Sequence, residues 1–404
     1  MVKKYFLLLT AYLICGTLLL AGCDSPRTEH LVLATRHEQT PTPVPAEKQQ
    51  TVELPQNMEI VLRRYSILEL ETLQTQADLE AVTDLLLYNE HTEQLPQIAL
   101  DGLEIFPNLC KLYLYGFSLE NLEALTKLPA LAQLSVVSCQ IHNCDAISKL
   151  QALEELNLRD LGPIQLPDLG NLDKLRTLDL SSNALTEVDG LAGMNALETL
   201  NLDANEIATI LPLKSCPALR KLSIARNRGD SITGLEELTH LESLDLSGNR
   251  LDDLAFLTHM HELKELDLSH CGLEALDWAG VAGNIEVLDL SGNPLGSLEG
   301  IEQMERLTAL SIGDCGLSSL EPLTSLKQLI ELDLSGWETV QDGGNSIHDF
   351  LPLAQMDGLK RLTVNPEEVP LLTVLAGSEV QARHTGDFLM SSWKSVDELL
   401  ASAK

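Results

Sequence analysis

The chain has 404 residues, with 27 Lys and Arg against 60 Asp and Glu, a formal charge of −33 at pH 7. So acidic a surface repels phosphate backbones, which sets nucleic acid aside and leaves a basic protein, a basic peptide or metal cations as partners. Apolar residues make up 44% of the chain but aromatics only 4%, so aliphatic side chains must fill the core.

At the N-terminus, Lys3 and Lys4 precede an uncharged apolar run from Tyr5 to Leu20, followed by Ala21, Gly22 and Cys23. This is the layout of an export signal with small residues before the cut. A Cys directly after Leu-Ala-Gly resembles the lipobox of bacterial lipoproteins. The resemblance covers residues 1–23 and implies cleavage before Cys23, a diacylglyceryl thioether on its sulfur and acylation of the new amine. It thereby implies an extracytoplasmic protein of the bacterial envelope, held to the membrane by lipid, since two or more acyl chains anchor stably. Removing residues 1–22 deletes two Lys and no acid, leaving 25 bases against 60 acids, or −35. Residues 23–56 then comprise the lipidated Cys and a tether. Thr40-Pro-Thr-Pro-Val-Pro45 lacks hydrophobic periodicity and has the composition of extended, disordered chain.

Residues 57–81 read as a helical cap. Asn57 is placed to N-cap a helix carrying Met58, Val61, Leu62 and Tyr65 on one face, and a second short helix starts near Thr75. Asp84 to Tyr88 reads as a first strand. Thereafter Leu-x-x-Leu-x-Leu returns every 22 residues, starting at Leu109, Leu131, Leu153, Leu175, Leu197, Leu219, Leu241, Leu263, Ile285, Leu307 and Leu329. The alternation within each phrase is that of a strand. Between phrases, apolar residues fall three apart, as in Leu185, Val188, Leu191 and Met194, which suits a 3-10 turn. After Leu329 the next start is Leu359, so this unit has 30 residues, an eight-residue insertion near 337–350. Residues 82–365 thus hold about 13 repeats. Residues 366–404 lack the phrase and read as a closing cap with a helix, a strand near Val380 and a last helix from about Ser392.

A 22-residue period with this spacing marks a leucine-rich-repeat solenoid: an α/β arc with parallel strands on the concave face and short 3-10 or helical turns on the convex face. Residues from about 57 to 380 resemble the 22-residue class found in bacterial internalins and in a eukaryotic phosphatase regulator. Leu317-Ser-Ser-Leu-Glu-Pro-Leu-Thr-Ser-Leu326 is similar to the internalin half-repeat. The resemblance implies protein binding through the concave face, with an adhesin-like or ligand-capture role. The chain departs from internalins in showing neither a cell-wall sorting motif nor an immunoglobulin-like module after the repeats.

Of the eight cysteines, Cys15 leaves with the signal and Cys23 is the lipid site. Cys139, Cys271 and Cys315 occupy the turn position held elsewhere by Asn183, Asn205, Asn227, Asn249 and Asn293, which this repeat accepts as Asn or Cys. Cys144 and Cys216 fall in apolar columns and read as small buried hydrophobes. Cys110 has no evident role. The spacing leaves a Cys139–Cys144 bridge open.

The register lists the central column of the concave face: Tyr113, Ser135, Asn157, Asp179, Asn201, Ser223, Asp245, Asp267, Asp289, Ser311 and Asp333. Asp245, Asp267 and Asp289 stand on consecutive strands about 4.8 Å apart, flanked by Glu265, Ser247, Ser269 and Ser291, and offer a docking strip for a basic partner or a cation. The bland reading is solvated repeat wording. Tyr113 and Tyr115 form an aromatic pair suited to anchoring a protein partner. His240, His259, His261 and Glu262 cluster in two neighbouring turns as weak zinc candidates; mobile surface histidines are the ordinary reading. No nucleophile elbow, P-loop, HExxH or dinucleotide loop is present. The expectation is therefore a non-enzymatic, lipid-anchored protein-binding module without cofactor or small-molecule substrate. The alternative is a structural or regulatory scaffold inside an envelope complex, with no external ligand.

Overall fold

The computed structural model describes residues 53–90, 93–227, 232–251, 253–336, 344–385 and 393–402. The export signal, Cys23 and the tether up to residue 52 lie outside them; the last tether residues, Pro55 and Gln56, already begin the first helix. The chain divides into two compact units, one up to Pro167 and one from Asp168.

The first unit opens with helix α1 (Gln56–Tyr65), which buries Met58, Val61 and Leu62. The expected cap at Asn57 is corrected: Pro55 holds the N-cap position, and the Asn57 side chain donates instead to the Asp101 carbonyl at 2.9 Å. Proline suits this end because its missing N–H would find no intrahelical acceptor anyway. Helix α2 (Gln76–Glu80) starts where Thr75 and Asp78 form a reciprocal capping box. Strands β1 (Asp84–Tyr88), β3 (Lys111–Tyr115), β5 (Gln133–Val137) and β7 (Glu155–Asn157) then pair in parallel. Following β1, β3 and β5 in turn, β2 (Gln97–Ile98), β4 (Ser118–Leu119) and β6 (Gln140–Ile141) form a second small parallel sheet.

The second unit stacks β8 (Thr177–Asp179), β9 (Thr199–Asn201), β10 (Lys221–Ser223), β11 (Ser243–Asp245), β12 (Glu265–Asp267), β13 (Val287–Asp289), β14 (Ala309–Ser311), β15 (Glu331–Asp333), β16 (Arg361–Val364) and β17 (Gln381–His384). From β8 to β15 each residue pairs with the one 22 positions on, as Leu200 with Leu222 and Leu244 with Leu266. The register is fixed because a one-residue slip would turn every leucine outward. The leucines of each phrase are buried almost without exception, each worth roughly 1.5–3 kcal/mol. The expected three-residue spacing appears as 3-10 turns, among them Asp189–Leu191, Leu211–Ser215 and Glu321–Ser325. The fold is a leucine-rich-repeat solenoid.

The turns are held by a ladder of buried asparagines. Asn205 Oδ1 accepts from the N–H groups of Asn183 and Leu185 at 3.0 and 2.9 Å, while its Nδ2 donates to the carbonyls of Leu180 and Leu202 at 3.0 and 2.8 Å. Asn227, Asn249 and Asn293 do likewise. In the insertion, Asn345 takes the ladder place eight residues late, accepting from Cys315 and Leu317. Residues 337–343 of the insertion lie outside the described residues.

The closing cap differs from expectation. Pro366–Leu375 is one ten-residue 3-10 segment with Pro370 inside it rather than an α-helix. A strand that the sequence did not signal, β18 (Lys394–Ser395), pairs antiparallel to β17 and ends the sheet. The last helix, α3 (Val396–Ser402), begins after this strand and not near Ser392, which lies outside the described residues. The guanidinium groups of Arg361 and Arg383 lie over the Trp393 ring, 5.9 and 4.5 Å from its centre. A two-residue edge strand offers little to another sheet.

Candidate functional site

In the second unit the outward central column reads Asp179, Asn201, Ser223, Asp245, Asp267, Asp289, Ser311 and Asp333, as the sequence register anticipates. Asp245, Asp267 and Asp289 are direct pairing partners on β11, β12 and β13. The geometry adds a constraint on each carboxylate. Its Oδ1 accepts from the N–H two residues on, at 2.8 Å from Ser247, Ser269 and Ser291. The same bond recurs at Asp179 and Asp333, and is made by an amide oxygen at Asn157 and Asn201. Short Asp and Asn side chains close such turns readily. The serines therefore fix the aspartates through their main chain. The sequence signal for this bond is the Asp or Asn of the column alone, since Arg159 and Asp203 donate the equivalent main-chain N–H to that of the serines.

Among the described residues no Lys or Arg forms an ion pair with these three aspartates. Burial, then the neighbouring Asp289 and Asp245, lifts the Asp267 carboxyl from 3.8 to about 6. Burial also raises Asp289, with Asp333 adding to it; bonds from Ser291 and the nearby His270 pull the other way. A fourth carboxylate, missed because it stands one column over, is Asp203. It too is raised by burial, although Ser223 Oγ at 2.5 Å and the Ala225 N–H at 2.8 Å stabilise its charge. Ser223 Oγ also lies 3.1 Å from Asp245 Oδ2, so this hydroxyl sits between two carboxylates. Along one edge the charges are paired instead: Arg176 bonds Glu198, and Arg220 lies 3.8 Å from Glu242.

The first unit presents a different surface. Tyr113 and Tyr115 are outward on β3, and Tyr115 stacks on Tyr88 of β1 with ring centres 5.1 Å apart and planes 18° apart. The Tyr113 hydroxyl donates to Gln133 Oε1 at 3.4 Å. The expected pair is thus a trio. Tyr88 escaped the register because Asp84 pairs with Lys111, a step of 27 rather than 22 residues. Beside Tyr115 lies a cleft of about 480 Å³, lined among others by Leu95, Ser138, Gln140, Asp160 and Leu161. Ser138 Oγ donates to Asp160 Oδ2 at 2.7 Å.

Two further groups of residues named from the sequence are placed by the structure. His240 Nδ1 meets Glu262 Oε1 at 3.1 Å, but His259 turns to Thr258 Oγ1 at 3.1 Å. Among the described residues no group of three His, Cys, Asp or Glu converges on a metal position, His240, His259, His261 and Glu262 included. Cys139 and Cys144 are both free thiols. Their S–H groups donate in different directions, to the carbonyls of Leu114 and Gln165, and burial pushes both to about 11. Such thiols are inert.

A family profile described as Leucine Rich repeats (2 copies) matches residues 173–215 and 239–280. No curated protein matches the sequence. Among solved structures, an internalin (inlF) from Listeria monocytogenes is similar at 22% identity and a TM-score of 0.58, covering 76% of this chain and 93% of that one. A TLR13–ssRNA13 complex is similar at 20% identity and a TM-score of 0.55, covering 83% of this chain and 55% of that one. A leucine-rich-repeat protein of Leptospira interrogans is 20% identical with a TM-score of 0.49, covering 76% and 97%. The repeats of this chain and their internalin-like neighbours share the fold.

Proposed function

We propose that the chain is an exported binding protein, lipid-anchored at Cys23, whose outward sheet faces dock a protein partner, with Asp245, Asp267 and Asp289 receiving its basic side chains. The observation that supports this is the in-register row of carboxylates without a Lys or Arg ion pair among the described residues. Lone carboxylates held together in a partly dry row repel one another, and a cation from a partner relieves that repulsion. Regular solenoid faces commonly serve protein recognition. One similar structure carries RNA; a charge of −33 argues against a phosphate ligand here.

The anchor is tested by changing Cys23 to Ala, which should release the chain from the membrane fraction; unchanged fractionation and processing would refute it. Docking is tested with the triple Asp245→Asn, Asp267→Asn, Asp289→Asn variant against the partner captured from envelope or host extracts. Asn keeps the Oδ1 acceptor, as Asn157 and Asn201 do, so the fold should persist. Association should slow most at low salt, because such charges act over a Debye length of about 10 Å at 0.1 M. An unchanged association rate at low ionic strength would sink the acidic-row reading.

A further inference from the structure

We propose that the cleft beside Tyr115 in the first unit is a binding site for a neutral pyranose, presented as part of an oligosaccharide. This site is separate from the acidic row and does not depend on it. The first observation is the outward tyrosine cluster, of which Tyr115 lines the cleft. Of the four tyrosines among the described residues, Tyr65 packs against Phe117, while Tyr88, Tyr113 and Tyr115 all stand on one outward face. In a chain with 4% aromatics, such a concentration on an open surface has no core to fill.

Tyr115 borders an open surface cleft of about 480 Å³. An open cleft of that size suits one ring of a longer ligand rather than an enclosed small molecule. Leu95, 37% exposed, and Leu161 give it apolar wall. Ser138, Gln140 and Asp160 add convergent polar groups of both kinds. The carboxylate accepts only, the hydroxyl donates and accepts, and the carboxamide has two N–H donors and an accepting oxygen. The Ser138–Asp160 bond at 2.7 Å fixes two of these groups relative to each other before any ligand arrives.

A sugar ring matches that set. Its axial C–H groups make an apolar face for tyrosine and leucine, and its hydroxyls each donate and accept around the rim. Local charge argues against an ionic ligand. Among the described residues Asp160 is the one charged residue that lines the cleft, and its carboxylate already accepts from the Ser138 hydroxyl. The second unit's row, by contrast, is acidic throughout its three central strands.

The test uses the full-length protein and saturation-transfer NMR with cellobiose, N,N′-diacetylchitobiose and maltose, each on the order of 10 mM, enough to fill a millimolar site. At least one sugar should receive saturation. Tyr115→Ala should weaken its binding about tenfold, the scale of one lost aromatic contact, while Tyr115→Phe keeps binding and so separates ring loss from misfolding. Asp160→Asn should weaken binding, and Tyr113→Ala, outside the cleft, should not. Silence from all three sugars would overturn the site, as would transfer indifferent to both Tyr115→Ala and Asp160→Asn. Asp160-dependent binding of a polylysine or polyarginine peptide in place of the sugars would also overturn it, in favour of a cation-binding cleft. None of these outcomes bears on the triple Asn variant of the second unit.

Discussion

Two polar columns run through the second unit at the same 22-residue period and differ in every physical respect. The turn column, with Asn183, Asn205, Asn227, Asn249 and Asn293, is buried, and each amide bonds main-chain groups of its own or a neighbouring repeat. The face column, with Asp245, Asp267 and Asp289, stands at the surface, and its backbone bond serves only its own strand exit. Buried main-chain groups must be paired, so the inner column tolerates few side chains. The outer column needs one acceptor oxygen, which Asp and Asn both supply. Its negative charge is therefore not required by the fold and can serve recognition.

The sharpest break of this comparison is Asn205→Ala. It strips acceptors from two buried N–H groups and a donor from two carbonyls. Each unsatisfied buried group costs about 1–3 kcal/mol, so the loss should reach on the order of 3 kcal/mol. Asp267→Asn, in the outer column, should not destabilise at neutral pH. Denaturant midpoints of the two variants would decide it; equal losses would erase the distinction between the columns.

The inner column was legible before the structure, because burial repeats the same demand at each turn and leaves Asn or Cys as answers. The strands followed for the same reason: leucines at fixed spacing admit one register. What stayed hidden depended on neighbours without a period. Tyr88 sits on a strand offset by 27 residues, and Asp203 joins the acidic face from an adjoining column. The Tyr115 cleft is lined by residues from several repeats, and no repeat contains its pattern. At the C-terminus, β18 is two residues long and antiparallel, too short for any alternation to show. The helix cap failed at Asn57 because a good capping residue has no claim on the role when proline precedes it.

A finer contrast lies inside the turn column itself, where Cys271 replaces Asn. Its Sγ donates to the Leu246 carbonyl at 3.3 Å, but it offers no amide oxygen to the preceding repeat. The Asn249 N–H turns back to Leu246 O at 3.3 Å, whereas the equivalent Asn227 N–H finds Asn249 Oδ1 at 2.8 Å. Cys271→Asn should restore that acceptor and stabilise the protein by about 1 kcal/mol, one net hydrogen bond. Thermal unfolding of the variant checks it, and a lower midpoint would mean that the turn had already adapted to sulfur.

The smallest effect, and the most specific to the outer column, is a dependence on pH at Asp267. Burial and two aspartate neighbours hold its folded carboxyl at about 6 against 3.8 for the free group. The folded state therefore takes up a proton more readily than the unfolded chain between those values. The stabilising contribution of this group is complete below about pH 4 and is lost as pH rises through about 6. At neutral pH the carboxylate is a liability that Asn would remove. Asp267→Asn should thus raise stability relative to the unmodified protein at pH 7.5 by up to about 1 kcal/mol, given the solvent that reaches this face. At pH 4 the gain should vanish, because both chains then carry an uncharged side chain that still accepts from the Ser269 N–H. Urea midpoints of the pair at the two pH values measure the difference. A gain of equal size at both would show that the row carries no repulsion to relieve.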